Sequence, residues 1–516
     1  MFSSAFALGC GTGSRPATDT LVYTRGEDAN TLDPIHTDIG ETVKVLVNLY
    51  DTLVTYHDET TELVPSLATS WTTSVDGLQW TFQLREQVPF HDGTTLDAEA
   101  VVFSFERLTA EKHPHVYEPG RPYKPSYHMI KKVEALGPHE VRFTLKTPSA
   151  VFLQNLAMFP AGIVSPAAVQ KQQSKYGENP AGTGPFQLEN WKRDRQLVLS
   201  AFDKHWRGRP GVSKVIFLPT REPSTRLAQI ERGEAHIADD LDPSELDRLA
   251  RLPNIVVQEQ LGMNVAYLSL QTEKPPLDRR DVRLAIAHAI NKPEFARLVF
   301  AGHALPAQTL VPPEMWGHHA QLVDHAFNRN EAQQLIAAAA KELGLSLPIK
   351  LKLSVMAQSR PYLQDPATAA EFIKDSLAPI GIAVTVEQRD VNQHFEYVAA
   401  GKHEMALAGW SSDNNDPDNF LYSLLDPDNI SEVGNNLSRY RNDRFHRLLL
   451  AAQQELDRTQ RLDHYLTAQD IALADVPVVP LSHSKMRVAR RSIVKGYVLH
   501  PTGLVRLRLV RLEESP

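Results

Sequence analysis

Cysteine is almost missing: Cys10 is the single one in 516 residues, so no internal disulfide can form and cysteine usage leaves the redox compartment open. After the first ten positions there is no run of about 18 apolar residues, and so no candidate for a membrane-spanning helix. Excess positive charge is lacking too. The formal net charge is -8, and no basic stripe interleaved with aromatics offsets it, which argues against nucleic acid as a partner. Low-complexity segments and internal repeats are absent. Glycine, at 26, falls short of proline, at 35, which favours fixed loops over a flexible linker. What is present, 42% hydrophobic and 22% charged residues, is ordinary for a globular chain. Its length exceeds what one core organises, so two or three domains are expected.

Catalytic signatures are missing as well. There is no GxSxG, no HExxH and no cysteine placed as a nucleophile, and His403-Glu404 lacks a second histidine at helical spacing. His113 with His115, and His318-His319, have no neighbouring cysteine or carboxylate ligand set and read as surface residues. A secreted peptidase is therefore the weaker reading, and neither cofactor nor metal is expected.

The informative stretch is 404–420, EMALAGWSSDNNDPDNF. Residues 405–410 form a short apolar run that fits a strand covered on both faces. Turn formers fill 411–418, so the chain must leave the strand at Trp410 as a polar loop carrying Asp413, Asp416 and Asp418. Upstream, 349–356 (IKLKLSVM) alternates as a strand and runs into a loop with Arg360 and Tyr362. A helix follows from Asp365 or Pro366 to Leu377, with Ala369, Phe372, Ile373 and Leu377 inward. Then come a strand at 382–387, a helix at 392–400 capped by Gly401, and the 405–410 strand. This β-α-β-α-β order predicts a parallel sheet with right-handed crossovers. Arg360 and Asp413 would then follow strands at one carboxyl edge, where open α/β sheets bind ligands. Such a pair suits a small zwitterion, the guanidinium as a fork for a carboxylate and the aspartate as acceptor for an ammonium. Read alone, each has a plainer role: Arg360 as a solvated loop residue, Asp413 as a cap for the helix near Pro417. Calcium does not fit, because Pro417 stiffens the loop and Leu424 stands at the twelfth position from Asp413, where a glutamate is needed.

The first part of the chain reads as a strand at 21–25, a turn at 30–34 and a helix at 42–49. Asp76-Gly77 joins alternating runs at 67–75 and 78–84 as a hairpin, Asp92-Gly93 makes a tight turn, and Asp97 caps a helix at 98–108. The string Trp71, Asp76-Gly77, Trp80-Thr81-Phe82, Leu84-Arg85, Phe90-His91-Asp92-Gly93 resembles the signature of bacterial extracellular solute-binding proteins of family 5, the peptide and nickel class of ABC importer receptors. So do Gly182-Thr183-Gly184-Pro185-Phe186 with Trp191, the segment 262–276 followed by Asp281-Val282-Arg283 and 285–292, and Lys495-Gly496-Tyr497. The likeness runs over nearly all of 21–512 and is strongest to periplasmic dipeptide-binding proteins.

That resemblance implies an α/β, two-lobed periplasmic binding protein fold (type II-like, cluster C) with an extra subdomain in the first lobe. The expected division is a flexible start at 1–20, a lobe-one core from 21–57, 181–270 and 484–516, an extra subdomain at 58–180, and lobe two at 271–483. Hinges are expected near 268–272 and 479–483. By its likeness to the RPY segment and the GW-x-x-D-N-x-D-P-D-N-F loop, Arg360 would take a ligand carboxylate and Asp413 an α-amino group. Trp410 and Tyr362 would wall the pocket, and backbone groups around Thr31 and Leu32 would pair with the peptide. Asn415 departs from the family loop, which leaves side-chain preference open. Glutathione, haem, a nickel complex or longer peptides are alternative ligands. Implied partners are a dipeptide or short peptide and the permease subunits of an ABC transporter, with the receptor a monomer. Met1–Gly9 before Cys10 resembles the end of a lipoprotein signal, so a periplasmic or membrane-anchored location with lipid on Cys10 is expected, although the basic start is absent and Ala7 stands where a leucine is usual.

Overall fold

The computed structural model describes residues 19–117, 120–412, 414–432 and 434–513, so Cys10 and Asp413 lie outside the described residues. The expected parallel sheet is present. Ile349–Met356 pairs in parallel with Ile382–Arg389 on one side and with Met405–Ser411 on the other. The crossover helices are Pro366–Leu377, capped by the Asp365 side chain on Thr368 N, and Val391–Ala399, capped by Asp390 on Asn392 N. Gly401 follows at φ +69°, a conformation that costs a glycine little.

The apolar run at 405–410 is explained by its two covered faces. Alternation sends Met405 and Leu407 into one core with Leu353, Ile373 and Leu377, and Ala406 and Ala408 into another with Phe420 and Tyr465. Each large side chain fully buried there contributes roughly 1.5–3 kcal/mol.

Beyond the sequence expectation, this sheet continues. Along it the strands run Ile382–Arg389, Ile349–Met356, Met405–Ser411, Asn264–Leu270, Val478–Arg491, Ile237–Asp239, Thr20–Arg25, Lys214–Pro219, Gln196–Ala201 and Phe186–Lys192. The strand Val478–Arg491 serves both halves. Its first part pairs with Asn264–Leu270, and its second part with Ile255–Leu261 and Ile237–Asp239. The chain therefore passes between the halves at 262–263 and at 484–485. The expected hinges at 268–272 and 479–483 are corrected by this register: Leu268 pairs with Val479 and Ser269 with Val478, inside one half. Extended residues announce a strand but not which partner they take.

Gly262 is required at the crossing. A Cβ there would fall 2.2 Å from Asn264 Nδ2 and 3.1 Å from the Ser484 carbonyl oxygen, which Gly262 N already meets at 3.0 Å. A separate four-stranded antiparallel sheet, Ala68–Thr73, Gln79–Leu84, Glu140–Leu145 and Ile130–Gly137, carries its own core around Phe82, Phe143 and Phe152. Its first hairpin turns at Gly77, φ +69°, as Asp76-Gly77 predicts. Asp97 caps the helix Ala98–Thr109 through Ala100 N at 2.8 Å. Among the described residues no helix is long and apolar enough to cross a membrane.

Candidate functional site

Strand Ile349–Met356 ends where Ser, Arg and Pro take over, and the turn that follows is closed tightly. Arg360 N donates to Leu363 O at 3.0 Å and Leu363 N returns a bond to Arg360 O at 2.9 Å. The backbone beneath Arg360 is thus fixed, while its half-buried guanidinium makes no hydrogen bond or ion pair with any described residue. The contrast is Arg389, at the end of the neighbouring strand, which is held by Glu387 at 2.6 Å and stacks 3.7 Å from the Tyr397 ring centroid. Tyr362 lies flat on Gly409: a Cβ on that glycine would come 2.1 Å from Tyr362 Cδ2, so only glycine admits the ring. Burial pushes the Tyr362 hydroxyl up to about 12, with the positive charge of Arg360 opposing the rise.

Around the polar loop, Ser412 and Asn414 are buried. Ser412 N donates to Met263 O at 2.7 Å, which ties the loop to the crossing. Asp416 is fully buried and grips Arg461 with both oxygens, at 2.6 and 2.7 Å. The Arg461 guanidinium sits 5.0 Å from the Trp316 ring centroid, and Trp316 Nε1 donates to Asn415 O at 2.9 Å. Asp416 is therefore a brace for the loop, and the geometry leaves it no ligand to take. Asp418 accepts from Gln453 Nε2 at 3.0 Å. Burial first, then repulsion from Asp416, pushes its carboxyl up to about 7. The helix Asp418–Leu425 has no side-chain cap at Pro417. Asp418 N is met instead by Asp416 Oδ1 at 3.1 Å.

Trp410 and Tyr362 do not share a wall. Trp410 packs into the Phe420 core and fixes its Nε1 on Asn419 Oδ1 at 2.9 Å, whereas Tyr362 covers the opposite face at Gly409. Thr31 and Leu32 are buried, and most of their backbone is in use. Thr31 N is met by Asn30 Oδ1, Leu32 N by Gly177 O at 2.8 Å, and Leu32 O accepts from the Tyr50 hydroxyl at 2.8 Å. The Leu32 N–H expected for a peptide is thus engaged internally, whereas its carbonyl keeps a second lone pair.

Three features carry no sequence signal of their own. At the crossing, Asn264 uses its amide as a backbone would, accepting from Ser484 N at 2.9 Å and donating to Ser484 O at 3.1 Å. The Ser484 hydroxyl reaches the Pro361 carbonyl at 2.7 Å. Between the half that holds the Trp410 loop and the segments flanking the four-stranded sheet, Asn414 Nδ2 donates to Asn155 Oδ1 at 2.9 Å, Asn415 donates to Thr61, and Ala150 N donates to the carbonyl of Gln453, on the helix Asp443–Gln454, at 2.8 Å. These partners stand more than a hundred positions apart, beyond any local pattern.

Two α/β bodies, joined by paired strands that cross between them, with loops from the carboxyl ends of parallel strands gathered at the crossing, define a two-lobed periplasmic binding protein fold. The chain belongs to the bacterial extracellular solute-binding proteins, family 5, whose middle region matches residues 62–432. It is similar to the dipeptide-binding protein of Escherichia coli strain K12, 32% identical over 96% of this chain and 95% of that one. The di/tripeptide-binding protein 2 of Pseudomonas aeruginosa is 33% identical over 90% of this chain and 89% of that one. An ABC transporter-associated periplasmic binding protein of Helicobacter pylori, solved with the peptide STSA, superposes with a TM-score of 0.86 at 34% identity, covering 96% of this chain and 98% of that one.

Proposed function

We propose that the protein is the substrate-binding receptor of an ABC importer and captures dipeptides or short peptides by their charged termini. The observation that carries this reading is the Arg360 guanidinium, held on a closed turn at the end of a parallel strand with no anionic partner among the described residues. A cation half-withdrawn from water and left unpaired gains most from an incoming carboxylate. Asp413, flanked by the buried Ser412 and Asn414, is assigned the ligand ammonium. Tyr362 supplies an apolar surface beside Arg360, and Trp410 holds the Asp413 loop from the opposite face. Backbone groups other than the Leu32 N–H would pair with the peptide chain, which leaves the receptor tolerant of side chains.

In this reading 264–484 closes on the rest by hinge motion, and peptide favours the closed state because only that state makes contacts from both sides. Capture is periplasmic, and lipid on Cys10 would tether the receptor beside the permease. The relatives named for dipeptides and tripeptides support this choice of ligand. The test is incubation of the protein with a set of dipeptides and with glutathione, haem and nickel-histidine. Peptides should raise the melting temperature and be recovered intact by mass analysis. Stabilisation by haem, glutathione or nickel alone would overturn the peptide assignment, and peptide cleavage would replace the receptor with a hydrolase.

A further inference from the structure

Away from the crossing, a pocket of about 90 Å³ opens between the 46–66 and 496–509 segments, lined by Asp51, Asp58, His205, Arg207, Arg506 and Arg508 among others. Neither Arg360 nor the Trp410 loop contributes to it. Its charges do not balance locally. Asp51 is occupied, accepting from Thr183 Oγ1 at 2.9 Å and Trp206 Nε1 at 3.0 Å. Asp58 faces two guanidinium groups, Arg506 at 3.6 Å and Arg508 at 3.7 Å, both beyond hydrogen-bond distance. Arg506 is anchored on the Tyr56 carbonyl at 2.8 Å and Thr55 Oγ1 at 3.1 Å. Arg207 rests 4.5 Å from the Trp206 ring centroid and makes one long contact of 3.4 Å, to the Pro65 carbonyl.

Asp51 is met only by neutral donors and keeps its charge, so three cations face two carboxylates and one positive charge is left over. Burial lowers the pKa of Arg207 and of Arg506; Asp51 opposes the fall at Arg207 and Asp58 at Arg506, and the neighbouring arginines, Arg508 and Arg207 respectively, add to it. A second observation points the same way. His205 lines the pocket, its side chain is 1% exposed, and its Nε2 is buried with no hydrogen-bond partner, 3.6 Å from Asp51. Buried polar atoms of that kind are ordinarily satisfied, by protein or by something bound.

We propose that this pocket is an oxyanion site that takes a phosphate group, gripped by Arg508 and Arg207, with Arg506 and His205 completing its ring of donors. Guanidinium forks match phosphate oxygens, and an anionic group offsets the cation that Asp51 and Asp58 leave unbalanced. The site is separate from the peptide cleft and does not depend on that assignment. The phosphate can belong to a free ion or to a lipid headgroup, and the experiment separates the two.

The full chain is titrated calorimetrically with inorganic phosphate at constant ionic strength, because phosphate stabilises proteins in general and melting curves alone would mislead. One binding event is expected, kept in Arg360→Ala and weakened about tenfold in Arg508→Ala, the loss of one charge-assisted hydrogen bond. Arg207→Ala should weaken it similarly, and both variants should melt like the parent without phosphate. Co-sedimentation with phosphatidylglycerol vesicles that disappears in Arg508→Ala assigns the headgroup, whereas phosphate heat without sedimentation assigns the free ion. The proposal is overturned if phosphate gives no heat and vesicles no Arg508-dependent binding. It also falls if the heat survives both arginine variants, an adventitious ion only, or vanishes in Arg360→Ala.

Discussion

Ser484 Oγ stands 2.7 Å from the carbonyl oxygen of Pro361, so a residue on the strand that crosses between the two bodies holds the turn that presents Arg360. Met263 does the same for the other loop, its carbonyl meeting Ser412 N at 2.7 Å. Both loops proposed to meet the ligand are therefore fastened to the two crossings. Any rotation at 262–263 or 484–485 carries them along.

Ser484→Ala removes the tie to Pro361 and the weaker contact that the same hydroxyl makes with Asn264 Oδ1 at 3.0 Å, but leaves the Ser484 backbone paired with Asn264. Stability should fall by about 1 kcal/mol, one hydrogen bond's net worth. Peptide affinity should drop several-fold more than that loss predicts, because the Arg360 turn loses its position. Calorimetric titration with a dipeptide beside a melting curve reads both; equal affinity in the variant and the parent would separate the crossing from the site.

Arg360→Ala and Asp413→Ala should each cost about 2–4 kcal/mol of peptide binding, since each leaves a ligand charge without its partner. Arg360→Ala should melt like the parent, because the guanidinium makes no described contact to lose. Arg360→Lys should recover only part of the affinity, since a point charge replaces a fork. Blocking the peptide's N-terminus should abolish the difference between Asp413→Ala and the parent. Peptide affinity unchanged in both alanine variants would remove the assignment.

How much of this was legible in the sequence follows from the range over which each interaction acts. The β-α-β-α-β unit around Arg360 was readable because alternation, caps and turn formers are local: Asp365 caps where a cap was expected, and the strand after Gly401 ends at Ser411, one residue past Trp410. Asp76-Gly77 announced its hairpin for the same reason. The crossing points were misplaced because extended residues at 268–272 look alike whether they join two bodies or pair within one. Asp416 offered no sign that Arg461, on a helix forty-five positions away, would consume it. The strand order singled out Arg360 and Asp413 and the family likeness matched the same two, but Leu32, also expected to serve the ligand, is tied to Gly177 and Tyr50. Side-chain partners brought together by the fold leave no period to read.

Asn155→Ala breaks the hydrogen bond to Asn414, one of the bonds between the segments flanking the four-stranded sheet and the half that holds the Trp410 loop. Asn155 also braces its own body through Ser126 O at 2.7 Å, so some stability is lost regardless. The informative readout is shape. The variant without peptide should scatter as a larger particle than the parent, and saturating peptide should return it to the parent's dimensions at a several-fold higher concentration. A variant that binds weakly but keeps the parent's scattering in both states would place Asn155 in the fold and not in closure.

Asp418 gives a dependence on pH whose sign can be worked through. Its carboxyl is pushed up to about 7 in the folded chain from the ordinary aspartate value of 3.8, by burial and by the charge of Asp416, with Arg461 and the Gln453 amide opposing. Between those values the folded chain holds a proton that the unfolded chain has released, so stability falls as pH rises through this window and levels off above it. The contribution is fully present below the unfolded value and gone above the folded one. Asp418→Asn keeps an oxygen for Gln453 and removes the charge, so it should stabilise the protein at pH 8, by a few degrees in melting temperature, and make little difference below about pH 4. Melting curves of the variant and the parent across this range give the test: a gap that widens with pH supports the buried, readily protonated carboxyl, and a constant gap would mean that Asp418 titrates as an ordinary aspartate and that the loop it shares with Asp416 is wetter than its burial implies.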